Sequence, residues 1–199
     1  MPSALLEPIA PPPLESLHRK RWTSAEIDEL ISMGWSAKRY ELIDGELIDR
    51  QMGKNSPHIM AAMWLHEWLI AIFGFRRVHK EDPIDVATED RERNEPEPDL
   101  VVLRAPLQEL GREPRGEDIL LAIEVAASTL RMDLSTKAEL YARAGIPDYW
   151  VLDVDNRRMI VHREPAAGKY GSVIVYGEDE SVSSLAAPQS QFRVGAALS

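Results

Sequence analysis

Residues 119–125 read ILLAIEV, six apolar side chains out of seven. Such a run suits a β-strand buried on both faces, and a strand of that kind needs covering layers above and below its sheet. A helix-periodic segment follows from about 134 to 144, ends at Gly145 with Pro147 just beyond, and leads into YWVLD at 149–153. Strand, helix, strand with a connection of this length brings the two strands side by side in parallel. This stretch alone restricts the chain to an α/β or α+β layered fold, a mixed β-sheet flanked by helices.

The remaining elements fit that frame. TSAEIDELISMG opens with Thr23 as N-cap and Glu26 three residues on, a capping box, and stops at Gly34. YELIDGELIDR alternates about Asp44-Gly45, the signature of a tight hairpin. A further helix starts at Ser56-Pro57 and closes at Gly74. Its apolar residues, Trp64 and Trp68 included, occupy nearly every face, so it is expected to meet the sheet on one side and another element or subunit on the other. A homodimer is expected on that ground. RRVHKEDPIDVAT predicts one or two short strands, PDLVVLR a strand, DYWVLDVDNRRMIVHRE a hairpin turning at Asp155-Asn156, and KYGSVIVYGEDESVS edge strands. EDRERNEPEP and QELGREPRGED predict loops.

With 199 residues there is material for one substantial core, so residues 21–199 are expected to form a single domain behind a flexible Pro-rich arm at 1–20. The chain has no cysteine, which excludes disulfides, thiolate metal sites and a cysteine nucleophile and fits a cytoplasmic location. The longest apolar helical stretch, 59–73, is interrupted by His66 and Glu67 and is too short to span a bilayer. A net charge of −10 argues against tight non-specific nucleic-acid binding, which depends on Lys and Arg neutralising phosphates. A divalent ion can nevertheless supply positive charge locally.

Two charges stand where charge is costly. Glu124 closes the apolar run, and an unpaired carboxylate there would cost several kcal/mol, so it needs a cation or a proton. At 100° per residue Lys137 shares its helical stripe with Leu134, Ala138 and Tyr141, which aims it at the sheet. Three residues into a helix predicted to start at 134, it also opposes the macrodipole, whereas Asp133 in front reads as an ordinary N-cap. Asp99 heads the other apolar strand, PDLVVLR. Taken singly, Glu124 could be a structural hydrogen-bond acceptor, Lys137 a snorkelling side chain and Asp99 a loop cap. Taken together, two acids and a lysine are satisfied by a hard divalent ion, Mg²⁺ or Mn²⁺, beside a fixed cation.

An acid after proline at 99, a second 25 residues on at 124, then a lysine, resembles the PD-(D/E)XK nuclease superfamily. RYELIDGELI, SPHIMAAMWLHEWL, PDLVVL and AIEVAASTLRMDLSTKAELYARAGIPDYWVLD resemble more specifically the Uma-type restriction-endonuclease family, from about Trp22 to Val194. The superfamily pattern puts lysine two residues after the second acid; here that position is Ala126, and Lys137 on the next helix takes its place. The resemblance implies a restriction-endonuclease-like fold and Mg²⁺-dependent hydrolysis of phosphodiesters, with DNA as the expected substrate. It implies Asp99, Glu124 and the Val125 carbonyl as metal ligands, Lys137 orienting the attacking water, and Glu41 completing the shell. His58, at a helix start, is a candidate phosphate contact, and Asp85 is a lower-ranked candidate for the same site. The alternatives are a nuclease-fold module that binds nucleic acid or assembles without turnover, and a hydrolase of small phosphoesters.

Overall fold

The computed structural model describes residues 19–36, 40–50 and 56–198; most of the N-terminal arm, residues 1–18, lies outside that set. Helix α1 (Ser24–Ser32) carries the expected capping box between Thr23 and Glu26. Strands β1 (Tyr40–Ile43) and β2 (Glu46–Asp49) form the expected hairpin. Asp44 and Gly45 both have positive φ, 48° and 74°, as the turn type that matches strand twist requires. Helix α2 (Ser56–Phe73) follows, then β3 (Val78–His79), β4 (Leu100–Leu103) and the short helix α3 (Leu107–Leu110), which interrupts a segment read as loop. Strand β5 (Ile119–Ala126) leads into a helical segment made of α4 (Leu130–Met132), a π-helical turn (Asp133–Lys137) and α5 (Ala138–Arg143). Strands β6 (Asp148–Asp153), β7 (Arg158–Ala166) and β8 (Lys169–Gly177) come next, and β9 (Ser181–Val182) pairs with β10 (Phe192–Arg193) apart from the main sheet.

Six strands run in the order β3-β4-β5-β6-β7-β8. Only β5 and β6 pair in parallel, across the helical crossover the sequence predicts. Side chains alternate between the two faces. Leu100, Val102, Leu121, Ile123 and Val125 pack with Ala61, Leu65 and Leu69 of α2. Val101, Leu103, Ala122 and Ala126 pack with Ala138, Leu140 and Tyr141 of α5. Covering both faces makes β4 and β5 apolar almost throughout, and each fully buried leucine here contributes about 2 kcal/mol. The same alternation places Asp99 and Glu124 on the α5 face. Antiparallel pairing of Leu100 with Ile123 puts the two acids opposite each other one step further along.

A close backbone contact holds the crossover in place. A Cβ on Gly116 would stand 1.7 Å from the Ala144 carbonyl oxygen, so only glycine lets the turn before β5 lie against the end of α5. That seats the helix bearing Lys137 against the strand bearing Glu124.

Helix α2 is covered on one face only. Leu65 and Leu69 are fully buried and Trp68 stacks against Trp150 with ring centroids 6.2 Å apart, but Ile59, Met60, Met63 and Trp64 are exposed. Among the described residues no other element of this chain covers that face. Among those residues, too, no helix is long and apolar enough to cross a membrane.

Candidate active site

The acids and the lysine meet in one buried pocket. Lys137 Nζ lies 2.8 Å from Glu41 Oε1, 3.0 Å from Glu124 Oε1 and 3.8 Å from Asp133 Oδ1. Glu124 Oε1 also accepts a hydrogen bond from the Tyr141 hydroxyl at 2.9 Å. Asp99 Oδ2 accepts the Val125 backbone N–H at 2.8 Å and faces His58 Nε2 at 3.5 Å. Glu41, on β1, accepts the Glu97 backbone N–H through Oε2 at 3.2 Å, which ties the hairpin to the loop ahead of β4. These bonds use one oxygen of Asp99 and one of Glu124, leaving each acid a second oxygen through which to act.

Lys137 reaches the pocket by a different local structure from the one its sequence suggests. The helical segment begins at Leu130 with Thr129 as its cap residue, so Asp133 is not an N-cap but the first residue of the π-helical turn. Lys137 ends that turn and is clear of the first helical turn, where the macrodipole would oppose it. The wide turn places Asp133, Lys137 and Tyr141, spaced by four, on one inward face. Tyr149 fixes the turn from the sheet side by donating its hydroxyl hydrogen to the Asp133 carbonyl at 3.0 Å.

Glu41, Asp99, Glu124 and Asp133 are all buried, against one buried ammonium and one imidazole. Burial alone works against the Lys137 charge, but Glu124, Glu41 and Asp133 outweigh it and hold the ammonium above the ordinary lysine range. Glu124 is pushed well above the usual carboxylate range by burial, with Lys137 opposing and the neighbouring acids reinforcing. Asp99 is held below its usual value: burial raises it, but the His58 hydrogen bond and charge and the Val125 N–H prevail. Burial likewise raises Tyr141 well above 10, so its hydroxyl remains a donor to Glu124.

Asp133 is the least satisfied of the four. No donor reaches either oxygen in full hydrogen-bond geometry, and the Lys137 ammonium and the Thr129 hydroxyl only temper the charge. Burial pushes its carboxyl up to about 6. The native state therefore binds more protons than the unfolded chain between pH ~4 and ~6, and stability falls as pH rises through that window. We expect Asp133→Asn to leave the melting temperature nearly unchanged near pH 4 and to stabilise the protein by about 3 kcal/mol at pH 8. Thermal melts at the two pH values check this.

The pocket is also lined by Ile48, Arg50, Glu97 and the 127–129 turn, and encloses about 40 Å³, room for a partly hydrated cation or a few waters. Arg50 at its side is ion-paired with Glu97 and, at 3.2 Å, with Glu81. Asp85 does not belong here: Arg91 binds it at 2.7 Å and Arg115 at 3.0 Å, and it lies outside the pocket lining. Sequence reasoning missed Asp133 and Tyr141 as site residues, although their spacing of four on either side of Lys137 was visible. Nothing in the sequence pointed to Arg50 or Glu97, which reach the pocket only through the hairpin fold. Among the described residues no three His, Asp or Glu side chains stand together as a ready-made metal cage. Asp99 and Glu124, with Glu41, Asp49 and Glu97 also in the lining, and main-chain carbonyls are the oxygen donors on offer.

No curated protein matches the chain. Among solved structures, one described as a "putative nuclease belonging to DUF820" from Anabaena variabilis ATCC 29413 is similar in fold, with a TM-score of 0.64 at 15% identity over 86% of this chain and 96% of that one. The model of the Uma2 family, described as "Putative restriction endonuclease", matches residues 27–196, and the chain belongs to that family.

Proposed function

We propose that the protein is a Mg²⁺- or Mn²⁺-dependent endonuclease that hydrolyses phosphodiester bonds in DNA. The observation that carries this reading is three buried carboxylates, Glu41, Glu124 and Asp133, within 3.8 Å of the single ammonium of Lys137, with a fourth, Asp99, facing His58 beside them. Such a pocket repels phosphate unless a further cation enters it. Asp99, Glu124 and the Val125 carbonyl would hold that ion. Two carboxylates with the remaining positions left to water and substrate oxygen suit a small hard dication, which does not require a third side chain. When bound, the ion polarises the scissile phosphate and lowers the pKa of a bound water.

The protein's own groups have separable tasks. Val125 N–H and His58 fix the orientation of Asp99, and Tyr141 fixes that of Glu124. Lys137, held protonated, serves as a fixed cation facing the charge that develops on phosphorus and not as a base, for which its pKa would have to fall. Glu41 anchors that cation at 2.8 Å, beside Glu124 at 3.0 Å. The cavity is far smaller than the several hundred Å³ of a pocket that encloses a small ligand, so the phosphate is met at the mouth. That favours a polymeric substrate over a small phosphoester.

One observation favours a second reading, a nuclease-fold module without turnover: the absence of a three-side-chain metal cluster among the described residues. Incubating the purified protein with plasmid and linear DNA in Mg²⁺, Mn²⁺ or EDTA separates the two. Cleavage that needs the ion supports the endonuclease. No cleavage, together with no calorimetric Mg²⁺ or Mn²⁺ signal and no shift in melting temperature, assigns the second class.

A further inference from the structure

The two edges of the main sheet are treated differently. At one edge β3 has two residues, too short to template another chain. At the other edge β8 has nine, KYGSVIVYG, and no strand pairs on its outer side among the described residues. Edge strands of monomers are blunted by charges, prolines or bulges. From Tyr170 to Gly177 this one has no charge and no proline, and from Ser172 to Gly177 its pairing with β7 runs in plain antiparallel register, the ladder being interrupted only at Gly171 opposite Glu164, whose φ is 60°. At its centre Val173, Ile174 and Val175 are 54, 46 and 52% exposed. Alternation places Val173 and Val175 on one face and Ile174 on the other, so both faces of the edge are apolar.

We infer that β8 is a self-association surface and that its partner is β8 of a second copy, paired antiparallel to make one continuous sheet. The sequence specifies a register. With Ile174 opposite its own counterpart, Val173 meets Val175 of the second copy and Gly171 meets Gly177. The same register brings Lys169 to Asp179 of the second copy, within the acidic turn Glu178-Asp179-Glu180, and two-fold symmetry repeats the contact. Lys169 and Asp179 are both exposed, and Asp179, which already pairs with Arg193 at 2.5 Å, would share its carboxylate with the second copy's Lys169 across such an interface. The face bearing Val173 and Val175 continues into a groove of about 430 Å³ lined by Leu134, Ala138 and Ile160, beside which the second copy's valines would seat. Ladder hydrogen bonds supply direction, and the apolar pairs and end charges fix register. The exposed face of α2 offers apolar area without either property. This inference does not depend on the chemistry of the pocket.

The test is the solution mass of the full chain by light scattering and sedimentation velocity across a concentration series. The expected mass is twice the 22.4 kDa of one chain. Ile174→Lys should give the single-chain mass with unchanged circular dichroism and melting, since the residue is exposed. Lys169→Glu should weaken association about five- to tenfold, and Lys169→Glu combined with Asp179→Lys should restore it. A single-chain mass for the native protein at every soluble concentration overturns the inference. So does a dimer that survives Ile174→Lys, whether or not Met63→Lys on α2 dissolves it. Failure of the double charge exchange to restore association overturns the register.

Discussion

Glu124→Gln is expected to yield a folded protein that no longer cleaves DNA. The amide keeps the shape of the carboxylate and still offers an oxygen to the Tyr141 hydroxyl and the Lys137 ammonium, which stand 2.9 and 3.0 Å from Glu124 Oε1. It removes the negative charge that would hold the ion. If ion-assisted charge stabilisation at phosphorus is worth about 4 kcal/mol, its loss lowers the rate roughly 10³-fold. The fold should not suffer correspondingly, because burial already penalises the Glu124 charge and a neutral amide escapes that penalty. Lys137 keeps Glu41 at 2.8 Å as a partner. Plasmid cleavage in Mn²⁺, measured beside a thermal melt at pH 8, distinguishes chemistry from unfolding. Native-like cleavage by the variant would remove Glu124 from the machinery.

The parts of this arrangement that follow from periodicity were legible in the sequence. Apolar runs at 100–103 and 119–126 identify strands covered on both faces, and period-two alternation is enough to bring Asp99 and Glu124 to one side. Helical periodicity aims Lys137 at them. The π-helical turn was not legible, since it inserts one residue per turn without changing composition; Thr129 is a cap-type residue that marks the earlier start, although its side chain makes no cap bond there. Asp133 was misread for that reason: an aspartate before an apolar stripe is usually a cap, and only the earlier helix start makes it a buried acid. Glu41 was ambiguous from sequence because the β1–β2 hairpin alternates on both strands, and which face is inward depends on the partner it docks against. That partner is the loop before β4, through Leu42 paired with Glu95 and Glu41 bonded to Glu97, contacts about 50 residues apart in the chain. Asp85 failed for the same reason, since two arginines from its own neighbourhood in space claim it.

Lys137→Met should destabilise the protein more than any other single change in the pocket, and in a pH-dependent way. Methionine fills the space of the stem but leaves Glu41, Glu124 and Asp133 facing one another without the ammonium that neutralises them. Breaking a buried ion pair from one side typically costs about 3–5 kcal/mol, because the remaining charge keeps its desolvation penalty. In the native protein the folded-state pKa of Lys137 lies above its unfolded value, so its contribution is fully present below pH ~10 and is lost only as pH rises through the folded value. In the variant the same sign operates in a lower window: Glu124 and Asp133, already raised by burial, lose the ammonium that opposes the rise, the native state takes up protons, and stability declines as pH increases above ~4. The deficit should therefore be largest at pH 8 and shrink towards pH 5, where protonated carboxyls can share hydrogen bonds. Lys137→Arg, which restores a cation but not its dimensions, should recover part of the stability. Urea unfolding of the three proteins at pH 5 and pH 8 measures the effect. A deficit independent of pH would mean that Lys137 contributes packing alone and that the acids are neutral without it.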